Sequence, residues 1–244
     1  MLNGKRTAFQ RCYARCAIDG KQRMPYHTWL SGNNGGVPWA GALRRLTHRW
    51  MKEVQMPRKA AAAPSRVYQL KITLKGSKPP IWRRVEVADD TTLARLHHII
   101  QAAMGWTDSH LHMFNVGRTS YGVPAPGYDG DVRDERRVKL NQVLTAPKQP
   151  LSYEYDFGDS WTHEVLLEQV LAPEPGASYP RCTAGKRACP PEDCGGVWGY
   201  ADFLEAIANP EHERHEELLE WVGGEFDPEQ FDVAEANVAL DRMR

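Results

Sequence analysis

Residues 151–170 read LSYEYDFGDSWTHEVLLEQV. Two runs, LSYEYDF and WTHEVLLEQV, alternate apolar and polar residues on either side of Gly158-Asp159-Ser160. Alternation of period two marks a strand with one buried face. A glycine-containing break between two such runs predicts a β-hairpin. A three-residue loop would pair Phe157 with Trp161, Tyr155 with His163, Tyr153 with Val165 and Leu151 with Leu167. That register gathers the aromatic and apolar side chains on one face. A two-residue loop would set Asp156 opposite Trp161 and mix the faces, because a slip of one residue turns every side chain over. The longer loop is expected. It places His163 on the packed face beside Tyr155, with Asp156 and Glu164 on the polar face.

The flanks extend the pattern. VYQLKITLKG, from Val67, and KPPIWRRVEV read as two further strands. Thr91 or Thr92 can cap a helix that runs to about Met104, with Leu93, Leu96, Ile100 and Ala103 at helical spacing and Gly105 as its C′ residue. LHMFNVG reads as a strand, and 117–139 as loop. Downstream, Tyr200, Phe203, Leu204 and Ile207 form an apolar stripe that Asn209-Pro210 ends. A second helix is expected from about Glu211 to Val222, and a third near Asp232, with Glu235 in capping-box spacing. Together these predict an α+β fold: a mixed, largely antiparallel sheet packed against helices, with a C-terminal helical segment.

The chain has 244 residues, 41% apolar and 25% charged, enough to bury a core. Its zero net charge hides a division. Residues 1–55 carry 10 Lys/Arg and 2 Asp/Glu, a charge of +8, and 56–244 carry 21 and 29, a charge of −8. The acidic part disfavours a broad nucleic-acid surface. No run of 18 apolar residues is present, so no membrane span is expected, and the N-terminus lacks an apolar signal core. A cytoplasmic protein is expected, where clustered cysteines more often bind metal or react than form disulfides. Residues 1–65 read as a disordered or weakly ordered basic extension, ending in the linker-like MPRKAAAAP. An alternative is that translation starts at Met56. Cys12, Cys16 and His27 in the extension could form a metal half-site.

Residues 182–196, CTAGKRACPPEDCGG, hold three cysteines. Cys182, Cys189 and Cys194 could ligate a structural zinc, which wants four sulfur or nitrogen donors. The fourth could be His163, His212 or His215, the last two sharing a helix face, or His110 or His112 on one side of a strand. Buried or free thiols and a disulfide are alternatives. Lys186 and Arg187 could lower a thiol pKa, but no catalytic-cysteine signature is present.

A second constellation surrounds the hairpin: Tyr155, Asp156, Asp159, Trp161, Glu192 and Asp193 as binding residues, with His163 and the carboxylates as a possible water-activating metal site. Hairpin and turn roles explain the same acids. His97 and His98, together on the first helix, read as one solvent-facing and one core-bordering residue. Trp106, Trp161, Trp198 and Trp221 read as core and loop anchors. Arg133, Arg136, Arg137 and Lys139 are interleaved with acids and read as a solvated loop.

The segments VYQLKITLKGSKPPIWRRVEV, YDFGDSWTHEV and GKRACPPEDCGGVWGY together resemble the plasmid pRiA4b ORF-3-like family over roughly 66–240. Members are often labelled insertion-element passenger proteins of TnpR type. The resemblance implies an α+β domain over 66–244 and little about activity. The resolvase suggested by the label would need a nucleophilic serine near clustered arginines and a basic helix-turn-helix, and neither is seen. The expected function is a mobile-element-associated accessory protein acting as a non-enzymatic binding module, stapled by zinc at the cysteine loop. A metal-dependent hydrolase using His163, and a DNA-binding accessory of transposition or resolution relying on the basic extension, are the alternatives. No partner is named by the sequence; a protein partner fits an acidic domain better than nucleic acid does.

Overall fold

A computed structural model describes residues 64–124 and 131–243. The expectations for the basic extension, including Cys12, Cys16 and His27, lie outside the described residues.

The alternating runs pair as read. β1 (Val67–Leu74) and β2 (Trp82–Ala88) form an antiparallel hairpin. β3 (His112–Val116), β4 (Thr119–Gly122) and β5 (Val132–Asp134) follow, then β6 (Pro150–Tyr155), β7 (Trp161–Leu171) and β8 (Arg181–Lys186). They make one sheet in the order β5-β4-β3-β6-β7-β1-β2-β8. Every pairing is antiparallel except β4 with β5. Five helices complete the described fold: α1 (Leu93–Met104), α2 (Leu140–Val143), α3 (Gly196–Ala208), α4 (His215–Val222) and α5 (Val233–Asp241). The α+β expectation, with its C-terminal helices, holds.

Besides α4, which starts at His215 and not near Glu211, three details differ from expectation. Tyr155 pairs with Trp161, Tyr153 with His163 and Leu151 with Val165, so the loop has five residues, 156–160. The offset of two keeps every side chain on its expected face, as a period of two requires. The longer loop holds itself: Asp156 and Ser160 take positive φ, Asp156 Oδ1 accepts from Gly158 N at 2.8 Å, and Asp156 O accepts from Ser160 N at 2.6 Å. Asp156 therefore starts the loop instead of lying on the polar strand face. Second, 117–139 is not all loop: it holds β4, β5 and a 3₁₀ turn at Glu135–Arg137. Third, Cys182 lies in strand β8, not in a loop.

α1 is capped as read: Thr92 Oγ1 accepts from Arg95 N at 3.2 Å, and Gly105 ends the helix at φ 99°. Its buried face includes Leu93, Leu96, Ile99, Ile100, Ala103 and Met104, and also His97 and Gln101. Burying each large aliphatic side chain contributes roughly 1.5–3 kcal/mol. Arg83, 2% exposed, joins α1 to the sheet. Its Nε donates to Ala103 O at 2.9 Å, and its Nη1 donates to Trp82 O at 2.9 Å and Lys186 O at 3.1 Å. A cation suits the carbonyl-rich end of a helix. Phe231 covers the guanidinium at 3.9 Å. α5 docks beside β8 through Asn237: its Oδ1 accepts from Cys182 N at 2.8 Å and its Nδ2 donates to Cys182 O at 2.9 Å.

Candidate functional site

The loop from Gly105 to Leu111 joins α1 to β3, and its side chains meet four other segments. Trp106, 8% exposed, donates its Nε1–H to Pro190 O at 3.0 Å. Thr107 binds the Glu192 carboxylate through both its amide and its hydroxyl. Tyr155 Oη donates to Glu192 Oε1 at 2.5 Å and accepts from Ser109 N at 3.0 Å. Burial raises the Tyr155 pKa, and the hydrogen bond to Glu192 adds to it. Burial alone would raise Glu192, but hydrogen bonds from Thr107 and Tyr155 outweigh it and hold the carboxylate below its usual value. Glu192, read from the sequence as a turn residue, thus ties the CPPED segment to this loop.

Two histidine–carboxylate clusters flank Ser109. In the first, Asp108 takes φ 59°, its amide held by Gln101 Oε1 at 3.1 Å. Asp108 Oδ1 lies 2.6 Å from His97 Nε2, and Oδ2 lies 3.3 Å from His98 Nδ1. One nitrogen or carboxylate oxygen from each of the three residues lies within 4.8 Å of the others. His97 Nδ1 meets Tyr153 Oη at 2.8 Å, and Gln101 Nε2 donates to the same hydroxyl at 3.0 Å. The His97 ring stacks on His112 at 3.5 Å and 5°, and His112 Nε2 lies 2.8 Å from Glu135 Oε2. Burial, reinforced by His112, pulls the His97 pKa down to about 4. His97 is buried, whereas His98 and Asp108 are 53% and 40% exposed, so the cluster opens to solvent.

In the second cluster, His110 Nδ1 lies 3.7 Å from Asp156 Oδ2. His110 Nε2 lies 3.3 Å from Asp193 Oδ1, without hydrogen-bond geometry. These three also place ligand atoms within 4.8 Å of one another. Of the carboxylates expected beside His163, Asp156 and Asp193 gather here around His110, whereas Glu164 pairs with Lys75 at 3.6 Å. Asp159 serves the same corner: its Oδ2 accepts from Gly195 N at 3.0 Å. Gly196 sits at φ 71°, where a Cβ would fall 2.5 Å from Asp159 O, so only glycine lets the two loops approach this closely.

The remaining residues stand apart. Trp161 and His163 are fully buried. His163 Nδ1 meets Trp161 O at 3.0 Å, and Nε2 makes no hydrogen bond among the described residues. Its ring lies edge-on to Trp106 at 5.2 Å and tilted to Tyr153 at 5.5 Å. His212 precedes α4, in a turn, and accepts from Arg214 N through Nδ1 at 3.1 Å. His215 Nδ1 lies 3.0 Å from Ala206 O. The shared helix face expected for the two is therefore absent. Cys182, Cys189 and Cys194 are free thiols. Burial raises all three pKa values, that of Cys194 to about 12, so none is poised as a nucleophile. Cys182 and Cys189 lie near enough to Arg83 to feel its charge. No three-donor ligand group among the described residues includes a thiol.

From the sequence, His97 and His98 take structural places on the first helix, with no connection to Asp108. Adjacent histidines on a helix were visible, but the carboxylate that joins them comes from a strained loop residue eleven positions later. Trp198, expected as an anchor, is 85% exposed. No helix among the described residues is long and apolar enough to cross a membrane.

Fold and rim together define an α+β protein, one mixed sheet with helices packed against it and a histidine–carboxylate rim on the loop after α1. The model of the plasmid pRiA4b ORF-3-like proteins matches residues 66–235, and the chain belongs to that family. The uncharacterized protein y4hQ of Sinorhizobium fredii (strain NBRC 101917 / NGR234) is 41% identical over 179 residues, covering 72% of this chain and 92% of y4hQ. The crystal structure of MM3350, a protein of unknown function from Methanosarcina mazei Go1, is also similar. It has a TM-score of 0.65 and 42% identity, covering 70% of this chain and 98% of MM3350.

Proposed function

We propose that the protein is a binding module organised by a divalent cation at His97, His98 and Asp108. The observation that carries this reading is the convergence of two imidazoles and one carboxylate within 4.8 Å on an open rim. Two nitrogens and a carboxylate suit zinc or a neighbouring first-row ion. Tyr153 supports the first ligand from behind, as outer hydrogen bonds fix metal-binding histidines. With the ion at His97 Nε2, the Nδ1–H donates to Tyr153 Oη. The ion would fasten the Gly105–Leu111 loop, and with it Glu192 and the CPPED segment, to α1. Open positions facing solvent would be free for a partner's donor group or for water. The test is native mass spectrometry and calorimetry on untagged full-length protein with zinc and manganese. One ion per chain is expected, with binding at least tenfold weaker in Asp108→Asn and in His98→Ala. Unchanged affinity in both variants, or no binding at all, overturns the reading.

A zinc staple at the cysteine loop is the second reading. It rests on the buried, unbonded His163 Nε2 and on the three free thiols of one short stretch. Thiols protected from titration until chelation would support it, and freely titrating thiols would exclude it. A role beside mobile DNA rests on the family resemblance alone; specific duplex binding in a gel shift at physiological salt is its test.

A further inference from the structure

The helical end of the molecule presents a surface that the metal reading leaves untouched. α3 and α4 pack together through Phe203 and Trp221, whose rings meet edge-on at 5.9 Å. Between them lies a cleft of about 350 Å³, lined by Asp202, Phe203, Arg214, Glu217, Leu218 and Trp221 among others, with Arg214 itself paired to Glu217. Its floor is apolar: Phe203 and Leu218 are buried. Trp221 is 47% exposed, and Trp198, at the start of α3, is 85% exposed. A bare indole gives up a large apolar area to water, and tryptophan is the residue most enriched where a few side chains dominate binding.

The surrounding charge says what would cover these indoles. From Asp193 to Trp221 there are eight acids: Asp193, Asp202, Glu205, Glu211, Glu213, Glu216, Glu217 and Glu220. All are exposed. Arg214 is the single Lys or Arg in that span, and Glu217 already pairs with it at 3.1 Å. Anionic membranes and nucleic acid are repelled by such a surface. A purely apolar segment would leave the carboxylates idle. Cations over tryptophan faces gain from the ring quadrupole, and carboxylates beside them add charge-assisted hydrogen bonds. Arginine satisfies both at once, because its planar guanidinium stacks on indole while binding a carboxylate with two parallel hydrogen bonds.

We infer that the α3–α4 cleft, with Trp198 and Trp221, is a docking surface for an arginine-rich segment of a partner polypeptide. Thirteen residues of α3 span about 20 Å. That accommodates several residues of an extended segment, one arginine entering the cleft and others meeting Trp198 and the exposed acids. The surface shares no residue with the His97–His98–Asp108 cluster, so the two proposals stand or fall separately.

The test uses full-length protein and fluorescein-labelled nine-residue peptides of alternating Arg and Ser, with Lys-for-Arg and Glu-for-Arg counterparts. Binding is followed by anisotropy at 0.15 M salt and by quenching of tryptophan fluorescence. The expected result is saturable binding of the arginine peptide, at least fivefold tighter than the lysine peptide, with none for the glutamate peptide. Trp198→Ser, at a solvent-exposed position whose loss leaves the core intact, should weaken binding at least fivefold. Asp202→Asn with Glu217→Gln should weaken it at least tenfold. No binding, equal affinity for the arginine and lysine peptides, or affinity unchanged in Trp198→Ser would overturn the inference.

Discussion

His163 has no exposed surface and leaves its Nε2 unbonded, so adding a proton there costs free energy. Burial pulls its pKa down to about 4, against the opposing pull of the Trp161 and Tyr153 backbone. The unfolded chain takes up that proton near pH 6.5 and the folded chain only near 4. Stability from the neutral ring is therefore complete above 6.5 and is lost as pH falls from 6.5 to 4. We expect this one residue to account for about 2–3 kcal/mol of the fall in unfolding free energy between pH 7 and pH 4.5. His163→Phe should roughly halve the slope of that part of the profile in urea titrations, the rest coming from His97, whose pKa is lowered to about 4 as well; a variant with the wild-type slope would show that His163 does not contribute. The packed position of His163 could be read from strand alternation. The partnership of His97, His98 and Asp108 could not. A helical period turns one of two adjacent histidines toward the core and the other toward solvent, but nothing periodic reports that residue 108 takes a left-handed conformation beside both.

Helix α1 is held to the sheet at its far end by Arg83, whose three backbone carbonyl partners come from β2, α1 and β8. Replacing it by methionine keeps most of the volume but leaves buried carbonyls unpaired. Arg83→Met should cost about 2–4 kcal/mol in chemical unfolding. A loss under about 0.5 kcal/mol would mean that the carbonyls find other partners or water. The same elements show what patterning can and cannot say. Parity fixed the buried face of the β6–β7 hairpin, since an odd slip would expose Tyr153 and Trp161. The even slip of two, from a three- to a five-residue loop, leaves both faces intact. It is decided by the Asp156 turn, whose amide also donates to Leu111 O at 2.8 Å, a contact from a distant element. Strands β4 and β5, of four and three residues, are too short to show alternation, and β8 hides in a glycine- and cysteine-bearing stretch that resembles a ligand loop.

At the scale of the whole molecule, charge was the most legible feature. The acidity of 56–244, and its concentration in 193–221, was plain from counting, but the exposure of Trp198 and Trp221 in that stretch required the fold. A sheet of eight strands also ends somewhere, and β8 is one of its two rims. There Asn237 occupies both hydrogen-bonding groups of Cys182 that another strand would seek. The amide side chain imitates a neighbouring backbone and so terminates the sheet. Its removal would matter less for the isolated fold than for what the fold does in a crowd. In Asn237→Ala we expect a modest stability loss of about 1–2 kcal/mol. Beyond it, light scattering should show concentration-dependent self-association, as an uncovered rim accepts strands from other copies. If the variant stays monomeric at high concentration, α5 blocks the rim without Asn237. If it associates, a single asparagine is the difference between a protein that stops at its own boundary and one that can polymerise.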